Sequence, residues 1–259
     1  MTIKFGPAGL GPVKTAEQVL EQYYKLGLRA CEIAFTYGVY IKREEDLERI
    51  GKKAQELGIE LSIHAPYYVN LNSEEKAKRE ATKKRILDCC KAGDKLGVST
   101  VVFHPGYYGK NKEKSYEVIK EGINEMLEII KEKKWKIKIA PETMGKVNVF
   151  GSIEEISKLA KETGCSFCLD FAHILAREKK VDFEKIKTLF PQEEWHLHFS
   201  GIEYTEKGER NHRTTRKDEW LELLKNLPKN KKITIINESP TLVDDSVEGL
   251  EIYEKMNKN

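Results

Sequence analysis

Short apolar runs rich in β-branched residues recur along the whole chain, each followed by a stretch of helical periodicity. The runs are Ile3–Phe5, Ala30–Phe35, Leu61–Ala65, Thr100–His104, Ile137–Glu142, Ser166–Asp170, Trp195–Phe199 and Thr234–Glu238. Between them the polar and apolar positions predict helices near residues 15–26, 44–57, 74–96, 112–134, 153–163, 182–190, 217–227 and 244–257. Val118, Ile119, Ile123, Met126, Leu127 and Ile130, for example, follow a 3.6-residue period. The punctuation agrees. Ser152-Ile-Glu-Glu155 has the form of a capping box, and Gly58 and Gly97 stand where glycines end helices. Eight strand–helix alternations in 259 residues are the signature of an α/β fold closed into a (β/α)8 TIM barrel. An open doubly wound sheet is the competing arrangement, and eight units favour closure. No Pro-, Gly- or Ser-rich linker divides the chain, so one barrel domain over residues 1–259 is expected.

The polar residues that end the runs carry the chemistry. Successive strands terminate in His64, His104, Glu142, Asp170, His198 and Glu238, spaced 28–40 residues apart, each gap wide enough for one βα unit. In a (β/α)8 barrel the C-terminal strand ends converge on one rim, where active sites lie. Three carboxylates in one cup are costly unless cations neutralise them, and imidazole with carboxylate suits Zn²⁺ or Mn²⁺. A lone strand-end histidine is more often structural, but the chain has only six histidines and four lie in terminal strand segments: His64, His104, His196 and His198. The other two are His173, three residues past Asp170, and His212, near Glu209 in the loop after the seventh strand. Nine such ligands exceed one four-coordinate zinc and fit two or three ions. Clustered metals of this kind serve in-line displacement at phosphate.

Composition narrows the setting. Lys and Arg total 45 against 42 Asp and Glu, a net charge of +3, which neither demands nor excludes nucleic acid. No apolar run nears the length of a membrane span, and five cysteines are too few for a disulfide scaffold, which points to a cytoplasmic setting. Cys165-Ser-Phe-Cys168 has zinc spacing but no second pair, and reads as core packing. Basic residues fall on the expected rim loops at Lys110, Lys112, Lys146, Arg177, Arg210, Arg213, Arg216 and Lys217. Arg210 and Arg213, flanking the His212 loop, are the preferred phosphate contacts.

The motifs are His64-Ala-Pro-Tyr67-Tyr-Val-Asn70-Leu71, Phe103-His104-Pro-Gly106, Pro141-Glu142-Thr-Met-Gly145 and Cys168-Leu-Asp170-Phe-Ala-His173, then His198-Phe-Ser-Gly201, Gly208-Glu-Arg-Asn-His212 and Ile236-Asn-Glu238. In these the chain resembles the endonuclease IV family of apurinic/apyrimidinic endonucleases, which shares its barrel with xylose-isomerase-like sugar isomerases. The resemblance implies three zinc ions. His64, His104 and Glu142 would hold the first, and Glu142 would bridge to a second completed by Asp170, His198 and Glu238. His173 and His212 would hold a third with an acidic partner. It further implies a hydroxide between metals attacking the phosphorus 5′ to an abasic deoxyribose in DNA, with Glu142 catalytic and Tyr67 and Asn70 lining the pocket. A monomer is expected.

Three departures stand out. Where the family has Asp-x-His, this chain has Glu209-Arg-Asn-His212, leaving Glu209 or Asn211 as the third oxygen ligand. Either histidine of His196-Leu-His198 aligns with the expected ligand; His198 is preferred, with His196 behind it. The loop after the second strand, Thr36-Tyr-Gly-Val-Tyr-Ile-Lys42, lacks the family's arginine but offers aromatics for stacking on nucleotides. The alternatives are a divalent-metal sugar isomerase or epimerase on the same barrel, and a metal-containing barrel that binds DNA without cutting it.

Overall fold

The computed structural model describes residues 2–258. Eight parallel strands form the wall: β1 (Thr2–Pro7), β2 (Ala30–Ala34), β3 (Glu60–His64), β4 (Thr100–Phe103), β5 (Lys138–Pro141), β6 (Cys168–Asp170), β7 (Glu194–Phe199) and β10 (Lys232–Asn237). They pair as two four-stranded sheets, β2-β3-β4-β5 and β1-β10-β7-β6. Two seams close them into a barrel. Arg29 N–H donates to the Phe5 carbonyl at 3.0 Å, and Thr143 N–H donates to the Cys168 carbonyl at 3.0 Å. The helices between strands are α1 (Ala16–Lys25), α2 (Glu44–Glu56), α3 (Lys76–Leu96), α4 (Lys112–Glu132) and α5 (Ile153–Thr163), then α6 (Phe171–Glu178), α7 (Phe183–Leu189), α8 (Lys217–Asn226) and α9 (Leu242–Lys258). The Ser152/Glu155 capping box opens α5, and Gly97 ends α3 in the left-handed conformation at φ +69°.

Side chains alternate across each strand, and the two faces have different partners. Ile33, Ile63, Val101, Ile139, Leu169, Leu197 and Ile235 point to the helices and join one continuous apolar core. Val102, Ala140 and Cys168 form a small separate cluster inside the barrel. By the strand registers, Glu32 pairs with Ser62, Cys168 with His196 and Asp170 with His198. The interior is therefore narrow and polar, and its upper layer is the rim expected to hold the site.

Two elements differ from the sequence expectation. A helix, α6, starts directly after β6, where only 182–190 was predicted, because the Asp170 carboxylate caps it by accepting from His173 N–H at 2.7 Å. The segment after β7 is an antiparallel hairpin, β8 (Gly201–Thr205) and β9 (Gly208–Arg213), rather than a loop. Gly208, at φ +97°, lets this hairpin lie on the β5–α5 loop: a Cβ there would stand 2.1 Å from the Gly145 carbonyl oxygen.

Candidate metal centre

Glu142 follows β5 directly, is fully buried, and stands at the middle of the rim. One oxygen, Oε2, faces His64 Nε2 at 3.2 Å and His104 Nε2 at 3.0 Å. The other, Oε1, faces His198 Nδ1 at 3.2 Å and His173 Nδ1 at 3.4 Å. Glu238 Oε1 lies 3.5 Å from His198 Nδ1, and Asp170 Oδ2 lies 3.4 Å from His173 Nδ1. Burial pushes the Glu142 carboxyl up, but the imidazoles around it, His198 foremost, hold it well below the usual carboxylate range.

Outer contacts fix how the rings present themselves. His64 Nδ1 lies 2.7 Å from the Ala65 carbonyl and His173 Nδ1 lies 3.0 Å from that of Thr143. A carbonyl only accepts, so each Nδ1 keeps a proton and each Nε2 is the nitrogen able to offer a lone pair to a cation that displaces its proton. His64 Nε2 then faces Glu142, and His173 Nε2 faces Glu209 Oε2 at 3.5 Å.

The hairpin turns Glu209, and not Asn211, toward the site. Glu203 pairs with Asn211, but the next residue, Tyr204, pairs with Glu209, so Arg210 is the extra residue of a β-bulge. In a regular strand, positions three apart face opposite sides; one bulged residue restores the same side. Glu209 and His212 accordingly turn inward together, while Asn211 is exposed. The His212 ring is 5.3 Å from that of His173, and its Nδ1 is 2.6 Å from Ser200 Oγ. Gly145 admits this approach: a Cβ there would lie 2.7 Å from Glu209 Cβ and 3.0 Å from His173 Cδ2.

The donor set suits cations. Ligand atoms of Glu142, Asp170, His198 and Glu238 lie within 4.8 Å of one another, as do those of Asp170, His173 and His212, and those of His64, Glu142 and His198. Asp170 Oδ2, though buried, has no hydrogen-bond partner. A cavity of about 450 Å³ opens above, lined by Tyr67, His104, His173, Glu209, His212 and Glu238 among others. A larger cavity, about 1230 Å³, lies at the opposite mouth among the strands' N-terminal ends; there Lys4 pairs with Glu60, and Lys138 and Lys232 with Glu194. Those charges pair with one another.

A family profile described as a xylose isomerase-like TIM barrel matches residues 20–223. The chain belongs to this family. An uncharacterised Methanocaldococcus jannaschii protein is 35% identical over 97% of both chains. A probable endonuclease 4 of Acholeplasma laidlawii is 32% identical over 52% of this chain and 49% of its own length. An apurinic-apyrimidinic endonuclease of Caenorhabditis elegans is 32% identical over 51% of this chain and 35% of its own. The match to these endonucleases thus spans about half of the chain. Among solved structures, endonuclease IV of Thermus thermophilus aligns over 100% of this chain and 99% of its own, with TM-score 0.71 and 19% identity. A D-psicose 3-epimerase aligns over 93% and 91%, with TM-score 0.67 and 19% identity. Both share the barrel fold.

Other residues singled out in the sequence have varied surroundings on this family's barrel. The half-exposed Tyr67 ring roofs His64 and His104, with centroids 4.8 and 5.4 Å away. Arg210 is exposed at the bulge. Three residues do not join the pocket through their polar groups. Asn70 Oδ1 accepts from the backbone N–H of Asn72 at 3.0 Å and of Tyr107 at 3.3 Å, tying two rim loops together. Arg213 forms a two-pronged pair with Glu219 at 3.0 and 2.6 Å. Arg177 donates to the carbonyls of Lys146 and Val149 and to the Tyr108 hydroxyl, holding the β5–α5 loop.

The sequence reading missed Glu32. It is fully buried in mid-β2, with Ser62 Oγ at 2.8 Å and His196 Nε2 at 3.1 Å on Oε2. His196 therefore stands on the far side of His198 from Glu142. Glu32 ends no strand, so inspecting strand termini passes over it. The available signal was a charge inside the apolar run Ala30-Cys-Glu-Ile-Ala34.

Proposed function

We propose that this family member is a divalent-metal phosphodiesterase that uses zinc, or in its place manganese, to cut DNA 5′ to abasic sites. The observation that carries the reading is Glu142, whose two oxygens each face two imidazoles, with Asp170, Glu238 and Glu209 at the edges of the same group. His64, His104 and Glu142 would hold one ion; Glu142, Asp170, His198 and Glu238 a second; His173, His212 and Glu209 a third. Bound there, such ions supply an activated water and neutralise charge developing on phosphate. Glu142 orients the two halves of the site through its separate oxygens, which makes it the residue the chemistry depends on most. Tyr67 shields His64 and His104 from bulk water. Arg210, exposed beside the pocket, is placed to meet a phosphate, and Arg213 braces the hairpin through Glu219. Asn70 shapes the pocket by fixing the loops that carry Tyr67 and Tyr107.

We also place the protein in the cytoplasm as a monomer: its five cysteines are free and buried, and no helix among the described residues is long and apolar enough to cross a membrane. A second reading, a metal-dependent sugar epimerase or isomerase, draws on the pocket's size, since about 450 Å³ admits a small ligand. Elemental analysis and a paired assay separate the two. Two or three zinc equivalents with nicking of an abasic duplex support the nuclease; the same metal content with aldose–ketose interconversion and no nicking supports the isomerase. Tight, salt-dependent binding of DNA without turnover would leave a binding barrel.

A further inference from the structure

The inward imidazoles of the centre differ in what faces their outer nitrogen. His64 and His173 are held by backbone carbonyls. His198 is the exception, because its Nε2 points down the barrel axis, away from Glu142, to Glu32 Oε1 at 3.0 Å. Both of these atoms are buried and neither has a hydrogen-bond partner, so this close charge contact is the one polar approach each of them has. Cys168, the remaining polar neighbour, is itself fully buried, and a thiol is only a weak acceptor. Glu32 is clamped from the other side by the Ser62 hydroxyl and His196 Nε2.

We infer that Glu32 is the positioning residue for His198: the carboxylate facing Nε2 keeps the ring proton on that nitrogen and thereby leaves Nδ1 aimed at Glu142 and Glu238. The assignment rests on the metal-centre reading above. Ligating histidines characteristically give their outer N–H to a carboxylate or carbonyl, which fixes the tautomer and strengthens the inner nitrogen as a donor. Ser62 and His196 make the carboxylate rigid, since together they occupy Oε2 and leave Oε1 for His198. A structural explanation is weaker. A buried carboxylate in the barrel interior costs desolvation that an apolar residue would avoid, so packing alone does not account for a charge at this position.

The test is zinc binding measured by chelator competition on wild type and Glu32→Gln, with melting of both metal-free proteins alongside. The expected result is a zinc dissociation constant for the ion on His198 raised by about 10–100-fold in a protein whose metal-free form still melts cooperatively, with catalytic rate recovered by excess zinc. A folded Glu32→Gln protein with wild-type zinc affinity overturns the assignment. If the amide prevents folding, Ser62→Ala, which removes only one clamp on Oε2, answers the same question. A measurable loss of zinc affinity supports the assignment, and no loss overturns it. Wild-type protein that binds no zinc would instead sink the metal-centre reading, so the two failures are distinguishable.

Discussion

At the scale of single residues, the centre is a set of buried charges that balance one another only in part. Burial opposes the charged form of His64, His173 and His198, yet nearby carboxylates raise His64 and His173 above the usual 6.5, and Cys168, followed by Glu32, Glu238 and Glu142, raises His198. Burial likewise opposes ionised Glu142 and Glu32, yet the imidazoles hold both well below the usual 4.5. A group with a raised pKa stabilises the fold fully below its unfolded value and loses that contribution as pH rises through the folded value. A lowered carboxylate contributes above its unfolded value and loses it as pH falls. The metal-free protein is accordingly most stable between 4.5 and 6.5 and softens on either side. Metal must displace protons from the same imidazoles, so the zinc-induced rise in melting temperature grows with pH. Calorimetry of metal-free and zinc-loaded protein from about pH 5 to about pH 8 checks both trends; a zinc effect that shrinks with pH contradicts them. The strand-end residues gathered around Glu142 were legible because they end strands, whereas Glu32 was not, because its partners come from β7 across the barrel rather than from its place in β2.

At the scale of elements, the hairpin brings Glu209 and His212 beside His173. Gly145→Ala puts a methyl against Glu209 and His173 and is expected to lower zinc content by one ion while leaving the barrel folded; unchanged stoichiometry by elemental analysis would falsify that placement. The hairpin's exit is braced separately by α9. Asp245 is buried and accepts from Trp220 Nε1 at 2.9 Å, Thr215 N at 2.9 Å and Thr215 Oγ1 at 2.8 Å. Asp245→Ala leaves those donors unpaired, at a cost of roughly 2–4 kcal/mol. For a chain of this size that lowers the melting temperature by roughly 5–15 °C, and a shift under one degree would show that water replaces the carboxylate. Periodicity gave the long helices because one face of each packs on the wall. The eight-residue α6 and the hairpin escaped it: both are too short for a period to register, and their stability comes from the Asp170 cap and from contact with Gly145.

For the molecule as a whole, eight βα units gather candidate ligands from six strand ends, a helix and a hairpin into one cup. Barrel closure was legible from the count of alternations, and convergence of the ligands followed from closure. The substrate was less legible, since it depends on rim loops whose side chains take partners that no spacing rule reveals, as Arg213 does with Glu219. Chelation tests the cup globally. Stripping zinc with a chelator at neutral pH removes the ligand's stabilisation, about 4 kcal/mol for a metal at a thousand times its dissociation constant; a melting temperature indifferent to chelator contradicts a bound cluster. The most direct test of the central claim is strand scission of a duplex carrying one abasic analogue, by zinc-loaded wild type beside Glu142→Gln. Wild type should cut once, 5′ to the lesion, and leave a 3′-hydroxyl. The variant should lose more than the roughly 10–100-fold that loss of an outer contact costs. A zinc-replete wild type that leaves the lesion strand whole, or a variant that cuts as fast, would contradict the account.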